Sequence, residues 1–422
     1  MRPLRHGADR SAAPPPPLRE GGKRKSWLAP FLPRPLTGEG DREAVEGASG
    51  DRRLNLRTVS QGVALGLLGC LSVWLFLRIG TAQPFGVDFS CVWAGVQAAL
   101  HHPGRLYDFA YISQQQGWPM GPGRPRPFIY PPSALPVFAP FGLLSFWVAY
   151  SLWMLLTGAL FIWSALRAGA KWWMVVFPPL ALVVAGGQVT FLVGGLVVAG
   201  LTLRDRRILA GVLFGIAAAV KPQLLVLAPI ALAADRRWRT ILAAGATAGL
   251  LCLASAAVWG AAPWMDWLGA LPKFQHLVLA DPGLVRTMVT PYSALVRSGF
   301  NGAWAYLLIP PVVAAVWFTF RRTRRVPERI LALFGGALLI VPYAMDYEIT
   351  LLAPAVAAFL ARTADRRWPA YLAAAIIFCL GFGYPLPLAA VLTLLGWAVS
   401  PSLVRPPRDT DPARPQAVRG AA

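Results

Sequence analysis

Residues 59–89 read VSQGVALGLLGCLSVWLFLRIGTAQPFGVDF. Val59–Ile79 is a nearly unbroken apolar run, and a helix rising 1.5 Å per residue needs about 20 such residues to cross the roughly 30 Å core of a bilayer. The run gives way to Gln83-Pro84 and then to Gly86-Val87-Asp88-Phe89, which sets an acid just past the apolar edge. A carboxylate there is easily solvated. Asp88 therefore reads as a loop acid, as the cap of a following helix, or as a base whose pKa an apolar wall raises.

The same alternation governs the rest of the chain. Of 422 residues, 56% are hydrophobic and 14% charged, where a soluble domain carries about a quarter charged. Lys and Arg number 40 against 19 Asp and Glu, a net charge of +21. These bases fall in short clusters between apolar runs, as in cytoplasmic loops, and no folded basic domain exists to hold nucleic acid. Cys70, Cys252 and Cys379 lie inside apolar runs and Cys91 follows Asp88; no pair has ligand spacing, so neither a zinc site nor a disulfide framework is indicated.

Residues 1–57, with Pro14–Pro17 and scattered Arg, and residues 402–422, rich in Arg and Pro, read as disordered cytoplasmic tails around a membrane domain at 58–401. After the first run, further spans are predicted near 143–166, 172–186, 189–203, 208–220, 223–234, 240–260, 303–320, 329–343, 347–361, 369–382 and 386–401, about twelve in all. Several are too short to cross 30 Å, as expected of helices that let water and substrate into the membrane. Two longer outer connectors interrupt the series, at about 81–142 and 261–302. The first contains a predicted helix at Val92–Leu100. With the N-terminus cytoplasmic, the inner connectors hold 16 bases and the longer outer side 8, which the positive-inside rule favours. Localisation in the cell (inner) membrane, multi-pass, with both termini cytoplasmic, is the expectation.

The candidate chemical residues all fall on the outer side. Lys221, before Pro222, is either a snorkelling lysine or a cation for a lipid phosphate. Gly186-Gly187 either relieves packing or presents Gln188 to a sugar hydroxyl. In Tyr343-Ala344-Met345-Asp346-Tyr347-Glu348, two acids sit between apolar runs without a basic neighbour in sequence, either in an exposed turn or at a functional site. His101, His102 and His276 read as loop histidines, since no spacing completes a metal site.

Asp88-Phe89, Gly104-Arg105-Leu106-Tyr107-Asp108, Phe128-Ile129-Tyr130-Pro131-Pro132, Gly187-Gln188 and Ala210-Gly211 through Lys221-Pro222 occur in an order that resembles glycosyltransferase family 87, also called the domain-of-unknown-function 2029 family. The likeness covers roughly residues 60–240, with a weaker Tyr292-Ser293 trace later. It implies an all-α integral membrane protein, a GT-C-type polytopic helical bundle. It also implies an inverting transfer of a hexosyl (mannosyl-like) or pentosyl group from a polyprenyl-phosphate sugar donor to a glycolipid or polysaccharide acceptor. The family's outer-loop base falls on Asp88, and its Lys-Pro helix end puts Lys221 near the donor phosphate; Arg105 or an arginine of the 261–302 connector is the expected helper to Lys221. Tyr107, Tyr130, Gln188, Tyr292, Asp346, Tyr347 and Glu348 are the expected substrate contacts. No cofactor or metal is expected, because the lipid-linked sugar is a substrate. Many members carry Ser-Pro with later Trp and His at the late outer turn. This chain has Val341-Pro342 and no His there, so that role passes to Asp346, Tyr347 or Glu348 or is lost. A polytopic transporter or flippase, and a non-catalytic membrane partner in envelope assembly, stay open as readings of the same sequence.

Overall fold

A computed structural model describes residues 56–116, 126–362 and 368–380. Nearly all of the two predicted tails, and the predicted span 386–401, lie outside these residues. All regular structure among the described residues is helical, in keeping with an all-α membrane protein. The helices are α1 (Leu56–Ala82), α2 (Val87–His101), α3 (Phe109–Gln115), α4 (Leu135–Gly142), α5 (Phe146–Arg167), α6 (Pro178–Gly186), α7 (Thr190–Thr202), α8 (Arg207–Val220) and α9 (Ala228–Ala234). They continue with α10 (Trp238–Trp259), α11 (Ala262–Ala280), α12 (Pro282–Thr287), α13 (Pro291–Arg297), α14 (Ile309–Arg322), α15 (Val326–Ile330), α16 (Gly336–Ile340), α17 (Ala353–Leu360) and α18 (Trp368–Leu380).

Among the described residues, four stretches are long and apolar enough to cross a membrane: Gly62–Ala82, Phe146–Arg167, Trp238–Trp259 and Gly302–Arg322. The other apolar runs form shorter pieces. Many of their breaks fall at proline, with Pro178, Pro222, Pro291, Pro327 and Pro354 all in the first helical turn, where a missing N–H costs nothing. A helix of 13 residues such as α7 rises only about 20 Å, less than a bilayer core. α7 is instead buried along almost its whole length, between α5 and α8. The long helices α1 and α10 leave Val63, Leu67, Trp74, Leu250 and Leu253 exposed on the protein surface, the side chains lipid would cover. α8 lies against α10 with backbones nearly touching. A Cβ at Gly211 would stand 2.6 Å from the Thr240 carbonyl oxygen, and one at Gly215 would stand 2.6 Å from that of Ala244.

The second long connector is folded. α11 is tied to the first connector by Trp267 Nε1, which donates to the Ile129 carbonyl at 3.1 Å. Just after α12, Met288 and Met345 form an isolated antiparallel bridge. The Val289 N–H donates to the Ala344 carbonyl at 2.9 Å, and Thr290 Oγ1 donates to that of Pro342 at 3.2 Å. Segments more than fifty residues apart in sequence are thereby joined beside Asp346.

Candidate active site

Asp88 stands in the first turn of α2, whose predicted core at 92–100 extends back to Val87. Gly86 precedes it with φ 74°, a left-handed conformation glycine adopts without strain, and its N–H donates to the Ala185 carbonyl at 2.8 Å. That bond sets the start of α2 on the end of α6. There the glycine pair acquires a purpose the sequence left open. A Cβ at Gly186 would stand 2.6 Å from Asp88 Oδ2, and one at Gly187 would stand 2.6 Å from Phe89 Cβ. The two glycines make room for Asp88-Phe89. Gln188 follows them, buried.

Asp88 is ion-paired through Oδ1 with Arg126 Nη1. In the sequence Arg126 is one of the eight bases on the outer side, with nothing to set it apart. The arginine is held from several sides. Its Nη2 donates to Gln83 Oε1 at 2.7 Å, its N–H to Ser113 Oγ at 3.2 Å, and its carbonyl accepts from Gln116 Nε2 at 2.6 Å. Gln116 Oε1 in turn accepts from Ser90 Oγ, two residues after Asp88 on α2. The signal available in the sequence was a basic residue two before the Phe128-Ile129-Tyr130 motif.

The late turn changes the reading of its acids. Glu348 lacks a basic neighbour only in sequence, because Lys221, at the end of α8, forms an ion pair with it. Both are almost fully buried, with side chains 6% and 1% exposed. Beyond this pair neither oxygen of Glu348 accepts a hydrogen bond from a described residue. Lys221 Nζ also lies 5.5 Å from the centroid of the Tyr347 ring. Lys221 is thus neutralised by Glu348. Asp346 has no cationic partner among the described residues and accepts only the Tyr347 N–H, at 2.8 Å. Burial raises its carboxyl to about 7, with the charges of Asp88 and Glu348 adding to the effect and the backbone hydrogen bond opposing it.

Of these groups, Lys221 and Tyr347 line a cavity of about 360 Å³. Its apolar wall is formed by Trp267, Leu271, Phe274 and Val278 of α11, and its polar end by Tyr130, Lys221, Tyr343 and Tyr347. Tyr292 lines it too. Asp88 is set behind this wall, close enough for its charge to act on Tyr130, Tyr343, Asp346 and Tyr347. Tyr107 stands one step back, its hydroxyl donating to the Tyr130 carbonyl at 2.7 Å. Arg105 is not brought to the cavity. Its Nε donates to Asp108 Oδ2 at 2.9 Å and its guanidinium covers the Tyr111 ring at 4.4 Å, because an acid three residues on captures it first.

An acid on a helix start, a buried Lys–Glu pair and an apolar cavity lined by tyrosines lie together, and comparison with known proteins places the chain that carries them. The chain is 32% identical over 190 residues, 40% of its length and 42% of the relative's, to the polyprenol-phosphate-mannose-dependent alpha-(1-2)-phosphatidylinositol pentamannoside mannosyltransferase of Mycobacterium tuberculosis (strain CDC 1551 / Oshkosh). It is 41% identical over 64 residues, 15% of its length and 14% of the relative's, to the protein of the same description from Mycolicibacterium smegmatis (strain ATCC 700084 / mc(2)155). Each match spans less than half the length of the relative. No solved structure matches. The profile of glycosyltransferase family 87 matches residues 128–342, which leaves Asp88 outside and takes in Lys221, Tyr292 and the cavity wall of α11. That match covers half of the chain and reaches across the later half, where the sequence resemblance was weakest, and the chain belongs to glycosyltransferase family 87.

Proposed function

We propose that this chain is a membrane glycosyltransferase that moves a mannosyl-like hexosyl, or a pentosyl, group from a polyprenyl-phosphate donor to a glycolipid or polysaccharide acceptor of the envelope. The observation that carries the reading is the cavity, whose apolar flank meets Lys221 and a group of tyrosines, with the Asp88 carboxylate behind the tyrosines. An apolar flank suits a prenyl chain, and a cation at its end suits the phosphate. In this reading the protein lies in the cell (inner) membrane with Asp88 on the extracytoplasmic side, the orientation that its loop charges favour.

Asp88 takes the proton of an acceptor hydroxyl. That oxygen attacks the anomeric carbon as the bond to the phosphate oxygen breaks, and polyprenyl phosphate leaves with the bonding electrons. A single displacement inverts the anomeric centre. Two resting ion pairs must be exchanged for this. Arg126 occupies Oδ1 of Asp88, so substrate entry has to draw Arg126 off the carboxylate that takes the proton. Lys221 has to share its charge between Glu348 and the departing phosphate. Tyr130, Tyr343 and Tyr347, with Gln188 and Tyr292, are the hydroxyl and amide groups available to the sugar.

Membranes holding the wild-type chain and Asp88→Asn, supplied with labelled polyprenyl-phosphate mannose, test this. Transfer is expected to fall at least about 100-fold at equal protein level. Undiminished transfer would remove Asp88 from the role. The unpaired carboxyl of Asp346 supports a second reading, in which it is the base and Asp88 holds Arg126 in place. In that case Asp346→Asn abolishes transfer and Asp88→Asn only weakens it.

A further inference from the structure

The opposite end of the protein holds a second cavity, of about 380 Å³, lined by Arg236, Arg321, Arg322, Arg324 and Arg329 with Asp235. The helix Gly302–Arg322 begins beside Tyr292, whose ring lies 6.1 Å from that of Tyr306, and at 1.5 Å per residue its far end is roughly 30 Å away. That distance is about the thickness of a bilayer core.

Five arginines surround one acid, and that acid is already satisfied. Arg204 Nη2 donates to both oxygens of Asp235, at 2.9 and 3.2 Å, and Arg329 Nη1 donates to Oδ2 at 2.7 Å. Glu328 near by is paired with Arg362 at 2.8 Å. Arg236, Arg321 and Arg324 have no carboxylate partner among the described residues. Behind the wall, Arg237 is 4% exposed, and none of its three guanidinium nitrogens meets a hydrogen-bond acceptor. Asp235, Arg204 and Arg329 are its charged neighbours. Arginines that merely mark a loop would point into solvent with nothing between them. Here they enclose a hollow with a surplus of positive charge. Trp317 and Phe318, both exposed, stand on the same helix just before Arg321 and Arg322, and Arg322 covers the Phe318 ring at 5.0 Å.

The geometry points to a binding site for a phosphate group in this arginine-lined cavity, separate from the candidate active site and at the depth of the other membrane surface. Guanidinium groups hold phosphate through paired N–H donors, and the surplus charge supplies the attraction. Two sources share this chemistry. One is an anionic phospholipid headgroup, whose chains would lie along Trp317 and Phe318, and the other is a soluble phosphate.

The full chain in nanodiscs separates them. Wild type, Arg321→Gln/Arg324→Gln and, as a control for surface charge elsewhere, Arg167→Gln are compared. In the first arm, nanodiscs of phosphatidylcholine with phosphatidylglycerol are used, and co-retained lipid is counted by native mass spectrometry. In the second, pure phosphatidylcholine nanodiscs are titrated with inorganic phosphate and followed by thermal unfolding. Both changed arginines are exposed, so the double variant is expected to fold, and its melting without phosphate or anionic lipid checks this. A loss of roughly tenfold or more in phosphatidylglycerol retention, in the double variant alone, supports the site with a lipid occupant. A phosphate-induced stabilisation that the double variant alone loses supports it with a soluble occupant. Equal responses in all three proteins, or an equal loss in Arg167→Gln, overturn the proposal.

Discussion

The two ends of this protein solve the problem of buried charge in opposite ways. At one end Asp235 is bonded by two arginines, and Arg329, its side chain 1% exposed, also donates to the carbonyls of Thr323 at 2.8 Å and Phe320 at 3.1 Å. At the other, Lys221 and Glu348 are buried with little besides each other, Asp346 has no cation, and Asp88 is held by an arginine from a separate loop segment. A charge pair with its remaining hydrogen-bonding capacity filled holds a structure together, whereas one left half-satisfied is poised to change partners. The contrast holds for the acids, since Arg237 is buried without an acceptor at the first end, and the proposed mechanism exchanges partners at the acids of the second.

The largest expected effect that breaks this contrast is Asp88→Asn, which should lower transfer by about 100-fold or more with normal folding and Arg126 still present. Arg329→Met should do the reverse. It leaves a buried network incomplete and is expected to cost about 3–5 kcal/mol of stability, read as a lower melting temperature in detergent, while turnover per folded molecule is nearly unchanged. Gly186→Ala lies between the two. Its methyl group would press on the Asp88 carboxylate, so transfer should drop roughly tenfold or more with a smaller loss of stability. The second reading of the proton acceptor is resolved by running Asp346→Asn beside Asp88→Asn in the same assay.

Asp346 sharpens the comparison through pH. Its folded pKa of about 7 lies above its ordinary value of 3.8, so the folded protein binds more protons than the unfolded chain between these values. Stability from this group is therefore greatest at low pH, falls as pH rises from about 4 to about 7, and is level above that. Thermal unfolding across this range should show the slope in wild type and lose it in Asp346→Asn. The smallest effect is expected from Arg105→Gln. The pair with Asp108 is exposed and on the order of 0–1 kcal/mol, so stability should barely move and transfer should change by less than about twofold.

Much of this was legible beforehand, for identifiable reasons. Hydropathy located the helices, because an apolar run of bilayer length has few alternatives, and Asp88 stood out as the acid just past the first. What pattern alone left open was set by contacts between distant segments. Lys221 and Glu348 are 127 positions apart, and only the packing of α8 against the late turn makes them partners. Arg126 carries no local mark of its role and reaches Asp88 through the fold of the first connector. The reverse happened with Arg105, where position in a family motif suggested a ligand and a nearby acid took it. Gly186 and Gly187 were visible as a break, but what they accommodate depends on a helix a hundred residues earlier. The run of expected spans also became shorter and more broken than hydropathy alone implied, since proline at the first turn ends a segment that composition would continue.

The bridge between Met288 and Met345 has a consequence for how a donor arrives. It fastens the far end of the α11–α12 segment to the strand of chain that carries Tyr343 and Asp346. In the proposed reading, a prenyl chain against α11 would bear on a segment that this bridge ties to the acid-bearing turn, so a push on one would be felt at the other.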